Sequence, residues 1–285
     1  MTEVEFTFRP DVSRPLMLCA FRGWNDGGEA ASAAAVHLRN GWEGKRFARI
    51  DPEGFFDFQV NRPTVRLEDG LQRHLEWPAC EFFHAKPGGH DVVLFIGVEP
   101  NVRWRAFTRA ILDVARELDV GLLVTLGAFL ANVPHTLPAQ VSAASSDPAW
   151  LEKPGVTPTR YEGPTGIVGV LHDAAAEIGL PSVSLWAAAP HYLPAGCNPR
   201  VALALLERVR DLLELDVETE GMSEAADAWD RTVAEALEED ANLVEYVRRL
   251  EEAAVEQGGL GRMPTGEDLA QEFERYLRDH GGDER

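Results

Sequence analysis

The sequence predicts a three-layer α/β/α sandwich followed by an acidic α-helical extension. Three observations carry that expectation. Strand-length apolar runs alternate with helical patterns as far as about residue 215. A glycine-rich turn, Gly23-Trp24-Asn25-Asp26-Gly27-Gly28-Glu29, lies between an apolar run and a run of small residues, the strand–turn–helix order of an open α/β sheet. Beyond residue 215 the strand signals stop and acid accumulates: residues 211–285 hold 23 acidic residues against 7 arginines and no lysine. The expected division is an α/β core domain at 1–215 and a helical extension at 216–285.

Leu16–Phe21 is the first strand, and the turn after it leads into a helix from about Gly28 to Arg39. Asp26 and Glu29 stand three apart, the spacing of a capping box, so the turn reads as a helix start capped by its own acids. A ligand-binding or catalytic carboxylate at Asp26 is the alternative. Phe47–Ile50 follows as a strand. Thr64–Leu67 and Cys80–Ala85, set off by turn signals at Glu68-Asp69-Gly70 and Trp77-Pro78, are expected to pair as an antiparallel excursion at the sheet edge. Val92–Val98 reads as a buried central strand. The helix after it, from about Arg103 to Leu118, places Phe107, Ile111, Val114 and Leu118 on one face.

Leu122–Leu126 is another buried strand, ending at Gly127-Ala128. Residues 132–164, rich in Pro, Ser, Thr and Ala, are expected to be loop with short strands near Gln140–Ala144 and Thr159–Tyr161. Gly163-Pro164-Thr165-Gly166 opens a helix through about Ile178, with Ile167, Val170, Leu171 and Ala174 at helical spacing. Ser182–Ala188 is the last central strand, and a helix from about Pro199 to Leu213 closes the core. In the extension, Ala225, Trp229, Val233 and Leu237, then Val244, Val247 and Leu250, form amphipathic stripes broken near Glu238–Ala241. After Gly258-Gly259, Thr265 with Asp268 caps a final helix carrying Leu269, Phe273, Tyr276 and Leu277.

Composition narrows the function classes. With 45% hydrophobic and 26% charged residues among 285, this is an ordinary globular composition, and its longest apolar runs are far short of a membrane span. Met1–Glu5 is acidic and lacks the basic start of a signal peptide, so a cytoplasmic location is expected. Cys19, Cys80 and Cys197 are odd in number and widely spaced, which suggests buried free thiols of a reducing compartment, not a disulfide frame. A net charge of −20 has the wrong sign for a nucleic-acid surface. The acidic extension reads as a solvated face, with a dock for a basic partner as the alternative.

Polar and aromatic side chains gather where the strands end, the usual position of a crevice in open α/β sheets. The candidates are Asn25 and Asp26 in the turn, Glu99, Arg103 and Trp104 after Val98, His135 beyond the Leu122 strand, and His191 with Tyr192 after the last strand. Asp26, Glu99 and His191 are the acid/base candidates, provided they converge. Glu99 could instead pair with Arg103 or Arg105. Of nucleophiles only Thr165 and Ser184 stand out, each without a visible base, and no G-x-S-x-G elbow is present. There is no metal-ligand spacing among the eight histidines, no G-x-G-x-x-G fingerprint, and only three lysines, Lys45, Lys86 and Lys153. Neither a cofactor nor a metal is therefore expected. Three classes stay open: a non-enzymatic scaffold, a hydrolase or transferase using the strand-end crevice, and a module that binds a small metabolite there.

The run Phe21-Arg22-Gly23-Trp24-Asn25-Asp26-Gly27-Gly28-Glu29-Ala30 resembles the proteasome-assembly-chaperone-2 family, in particular its actinobacterial branch. So do Phe56-Asp57-Phe58-Gln59 followed by Arg62-Pro63, Glu99-Pro100-Asn101 with Trp104, Gly163-Pro164-Thr165-Gly166, Ala189-Pro190-His191-Tyr192, and the acidic helical tail. The resemblance covers most of the chain in consistent order. It implies a phosphorylase/hydrolase-like α/β fold and homo-oligomers, trimers favoured, with proteasome α-subunits as the client. Some archaeal relatives dock through a C-terminal hydrophobic-Tyr-any tail. This sequence ends Gly281-Gly282-Asp283-Glu284-Arg285 and lacks that tail, so docking by that route is not expected. Bacterial members also carry an ATP-grasp-like label, which the shortage of phosphate-gripping lysines and glycine loops opposes.

Overall fold

A computed structural model describes residues 3–68, 72–145, 147–153, 156–159, 161–193, 196–238 and 240–256. In chain order its elements are β1 (Val4–Phe6), β2 (Leu16–Arg22), α1 (Ala30–Gly41), β3 (Lys45–Ile50), β4 (Thr64–Glu68), β5 (Gln72–Glu76), β6 (Glu81–Ala85), β7 (Val92–Val98), α2 (Trp104–Glu117), β8 (Leu122–Ala131), β9 (Val141–Ser145), α3 (Pro148–Leu151), β10 (Thr157–Pro158), α4 (Ile167–Glu177), β11 (Ser182–Pro190), α5 (Pro199–Leu213), α6 (Glu220–Glu238) and α7 (Ala241–Glu256).

Nine strands form one mixed sheet in the order β1-β3-β6-β7-β2-β8-β11-β9-β10. Its centre, β7-β2-β8-β11, is parallel, and antiparallel strands flank it. Period-two alternation of side chains sorts the apolar strands onto two helical layers. Leu18, Ala20, Leu94, Val124 and Leu126 face α1 and α5, where Ala31, Ala34, Ala35 and Leu38 meet Leu205 and Leu206. Met17, Cys19, Phe21, Val93 and Phe95 face α2 and α4, where Phe107 and Ile111 meet Ile167 and Leu171. The second layer is aromatic: the ring of Phe107 lies 5.2 Å from that of Phe55, and Phe21 lies 5.4 Å from Phe95. The three-layer expectation holds.

Several boundaries move for identifiable reasons. The helix after the turn starts at Ala30, not near Gly28, because Gly28 and Glu29 are both left-handed, with φ of 61° and 48°. Cys80–Ala85 does not pair with Thr64–Leu67. Residues Glu81–Ala85 form an inner strand between β3 and β7, as its apolar Phe82, Phe83 and Ala85 require. Thr64–Glu68 pairs instead with β5, in a separate two-stranded sheet. Strand β8 continues past Gly127 to Ala131, paired in parallel with β11 throughout, and Trp186 on β11 lays its ring over the glycine, 2.6 Å from where a Cβ would stand.

Smaller shifts follow the same logic. On α4 the buried face is Ile167, Val168, Leu171 and Ala175; Val170 and Ala174 are only partly covered. On α6 the inward residue is Ala226 and not Ala225, followed by Val233 and Leu237. On α7 Val247 is buried and Val244 is exposed. Cys19 and Cys80 are buried as expected, whereas Cys197 is exposed. The final helix expected from Thr265 lies outside the described residues. Among those described, no helix is long and apolar enough to cross a membrane.

Candidate functional site

The turn does start a helix, but the cap is made differently from the expected box. Asp26 Oδ1 accepts the N–H groups of Ala31 at 2.8 Å and Ser32 at 3.1 Å, satisfying donors that the first turn of α1 leaves open. Glu29, the expected partner, makes no capping bond. The turn is also wedged in place. A Cβ on Gly27 would stand 2.8 Å from the carbonyl carbon of Phe129 on β8, and the Gly28 carbonyl accepts the Asn198 N–H at 2.7 Å. The glycines therefore serve backbone packing, where a phosphate cradle would need open space. Burial pushes the Asp26 carboxyl up to about 6, and its Oδ2 is enclosed with no partner among the described residues.

Glu99 sits at the end of β7 and does not pair with Arg103 or Arg105. Its Oε1 accepts from Asn25 Nδ2 at 2.8 Å and from the Ile167 N–H at 2.8 Å. The carboxylate thus closes the N-terminus of α4, where the helix dipole favours negative charge. Burial raises its pKa, against the lowering effect of the bonds from Ile167, Asn25 and the Trp24 backbone. Gly166 lies directly over this pair: a Cβ there would stand 2.3 Å from Asn25 Oδ1 and 2.7 Å from Glu99 Oε1. The turn, the Glu99 loop and the Gly163–Gly166 segment meet at this one contact.

Arg103 and Trp104 point elsewhere. Arg103 pairs with Glu3 and lies 5.0 Å over the Phe55 ring; Trp104 Nε1 donates to the Pro100 carbonyl at 2.6 Å. His135, His191 and Tyr192 gather in a separate group. Tyr192 Oη accepts the His135 N–H at 2.8 Å and stands 2.7 Å from His135 Nδ1. The neutral ring either accepts the phenol proton at Nδ1 or donates from it to Oη, according to its tautomer. Burial lowers the His135 pKa, in agreement. It raises that of Tyr192 to about 12.

The extension completes this group. Tyr246 on α7 meets the rings of His191 at 5.9 Å and Tyr192 at 5.6 Å, edge to face, and its hydroxyl lies 3.3 Å from Asn132 Oδ1. Glu251 accepts from Thr136, and Arg200 at the start of α5 pairs with Asp227 and Asp230 of α6. A cavity of about 20 Å³ remains beneath, lined by His135, Pro190, Arg200, Trp229 and Ala254, with room for a water molecule or two. No hydrogen bond joins any two of Asp26, Glu99 and His191, so the three acid/base candidates serve three different contacts. Among the described residues no group of three or more His, Cys, Asp or Glu is placed to hold a metal.

With this geometry in place, the likeness to known proteins is specific. The model of the PAC2 family matches residues 20–237, from within β2 to within α6. The chain belongs to the PAC2 family. It is similar to a PAC2 family protein of Streptomyces avermitilis, 46% identical, over 82% of this chain and 99% of that one, with a TM-score of 0.75. It is equally similar to the Mycobacterium tuberculosis proteasome-assembly chaperone homologue, 46% identical over 81% and 99% of the two chains, TM-score 0.74. An archaeal proteasome activator of Pyrococcus furiosus, 18% identical with a TM-score of 0.65 over 83% and 99%, shares the fold. No curated protein matches the sequence.

This PAC2 chain also contains a polar network that sequence reasoning missed. His172 of α4 places Nε2 2.9 Å from Thr125 Oγ1 and Nδ1 2.8 Å from Ser182 Oγ, and Thr125 donates to Ser184 Oγ at 3.0 Å. With that donation fixed, Nε2 carries the ring proton and Ser182 donates to Nδ1. Ser184 thus has a histidine within two bonds, yet Thr125, Ser182 and Ser184 are all buried and no substrate reaches them. Burial drives His172 down to about 4. The network ties β8, β11 and α4 together. Tyr246 was missed as well, because its neighbours Val244 and Val247 drew the apolar stripe past it.

Proposed function

We propose that this PAC2 chain is a non-enzymatic, homo-oligomeric scaffold or assembly chaperone of the cytoplasm, a trimer, whose client is the proteasome α-subunits. One observation carries the non-catalytic half of this reading: each candidate acid or base is engaged in holding the fold. Asp26 caps α1, Glu99 caps α4, and His191 lies under the ring of Tyr246. General acid–base work needs such groups free to act together on one reacting atom, and here each is engaged by the fold. A proteasome client is in keeping with the name of the 46% identical Mycobacterium tuberculosis relative, a proteasome-assembly chaperone homologue, and the α-subunits are what the family resemblance implies. On this reading residues 1–215 form the scaffold body, and 216–285 form an acidic extension facing solvent or a basic partner.

The test is affinity capture from native lysate, paired with native mass measurement of the purified full chain. Recovery of α-subunits by a homo-oligomer supports the reading. A monomer that recovers no α-subunit overturns it.

A further inference from the structure

The hairpin β4–β5 pairs only with itself and takes no place in the nine-stranded sheet. Its register sets Val65 opposite Leu75 and Leu67 opposite Arg73. Directly opposed residues project to the same side, so Val65, Leu67 and Leu75 share one face with Arg73, and Trp77 lies two residues beyond Leu75 in the same phase. These side chains are 52%, 63%, 49% and 49% exposed in that order. The opposite face is polar: Thr64 stands opposite Glu76, Arg66 opposite His74, and Arg66 pairs with Glu76 at 2.6 Å.

A lone two-stranded hairpin is marginal in water, and this one turns its apolar side outward. The patch continues onto the body, where Trp77 packs edge-on against Phe58 at 4.8 Å and Val60 is exposed. The five residues Val60, Val65, Leu67, Leu75 and Trp77 together expose on the order of 500 Å². That is the upper end of what a monomer shows. With a polar rim it approaches the roughly 800 Å² that each partner gives to a stable interface.

Charge indicates the occupant. Residues 60–77 carry three arginines and three acids, a neutral stretch in a chain of net charge −20. A basic partner would be drawn to the acidic extension, whereas two copies of this chain, each of net charge −20, meet with least repulsion across a neutral surface. We propose that the Val65–Leu67–Leu75–Trp77 face packs against the same hairpin region of neighbouring copies of this chain around the assembly's symmetry axis. The proposal rests on the oligomeric half of the function proposed above.

The test is native mass spectrometry and sedimentation of the full chain alongside Leu67→Asp and Leu75→Asp. Both positions are exposed, so circular dichroism and Tm should match the parent. A second arm places a single reactive thiol at the patch, Leu67→Cys with Cys197→Ser, and treats it with a short thiol cross-linker. If the parent is assembled, the acidic variants fall to a smaller species or dissociate at least tenfold more readily, and the thiol variant cross-links between copies, the inference stands. If the parent is assembled while the variants assemble equally well and no cross-link forms, the hairpin inference is overturned and the scaffold reading survives. A monomeric parent overturns the hairpin inference and the oligomeric half of the scaffold reading. A monomeric parent whose Leu67→Asp variant loses captured α-subunits would show that the client covers the hairpin.

Discussion

Glu99 holds the start of a helix that lies 68 residues further along the chain, its Oε1 taking the Ile167 N–H at 2.8 Å while Asn25 donates to the same oxygen. One carboxylate thereby fixes the end of β7, the turn after β2 and the start of α4 relative to one another. A group with this many bonds to the fold has little capacity left for a substrate. Its position at a helix N-terminus offsets part of the cost of burying its charge.

Gly166→Ala tests that contact most directly. The glycine has φ of −91°, which alanine adopts freely, so the added methyl acts only through space. It would stand 2.3 Å from Asn25 Oδ1 and 2.7 Å from Glu99 Oε1, forcing the pair apart and uncovering a buried carboxylate. The expected loss is about 2–4 kcal/mol of unfolding free energy in urea, the range of overpacking plus a broken buried bond. A variant as stable as the parent would mean that the contact is slack.

Asp26→Asn should give a pH-dependent gain. The folded pKa of Asp26 is raised to about 6, above its ordinary 3.8, so the folded state binds the proton more tightly than the unfolded chain. Ionised Asp26 therefore costs stability above pH 6, and the cost fades as pH falls towards 4. Asparagine can still accept from Ala31 and Ser32 without the charge. Relative to the parent, the variant should lose up to about 3 kcal/mol of advantage between pH 7 and pH 4, as measured by urea unfolding across that range. A difference independent of pH would remove the buried charge as its cause.

His172 works in the opposite sense. Its folded pKa is lowered to about 4 from 6.5, so between those values the unfolded chain takes up a proton that the folded chain refuses. Stability contributed by this residue is whole above pH 6.5 and drains away as pH falls to 4, while that of Asp26 recovers over nearly the same window. The parent should therefore show a flatter stability profile between pH 6 and 4 than Asp26→Asn does. In proton NMR the His172 ring should not titrate between pH 8 and 5. A midpoint near 6.5 would show the ring to be open to solvent.

The sequence carried the parallel centre of the sheet because those strands, buried on both faces, are continuous apolar runs. Strand β5 escaped notice for the converse reason: Gln72-Arg73-His74-Leu75-Glu76 belongs to a hairpin exposed on both faces and has no core to declare it. The candidate residues were found where strand ends predict a crevice. Their partners were not, since Asn25–Glu99–Ile167 and His172–Thr125 depend on which helix lies over which strand. Spacing along the chain cannot supply that. Cys197 differed from Cys19 and Cys80 because it follows a strand end, whereas the other two lie in or beside sheet strands.

Tyr246→Ala should release α7 without harming the body. The ring is the aromatic link between that helix and the strand ends, meeting His191 and Tyr192, and its hydroxyl reaches Asn132. Neither the apolar layers of the sheet nor the contacts of Asp26 and Glu99 include it. Losing the aromatic contacts and the hydrogen bond should cost about 1–3 kcal/mol locally. Amide exchange in Ala241–Glu256 should then rise roughly tenfold or more, since 1.4 kcal/mol is a factor of ten in an opening equilibrium, while exchange in β2 and β8 stays as it was. Tyr246→Phe separates the two contributions: it keeps the edge-to-face packing and loses only the hydroxyl, so it should fall between parent and alanine. Equal exchange in all three proteins would mean that the buried Val247 and Ala254 and the Thr136–Glu251 bond hold α7 without the ring.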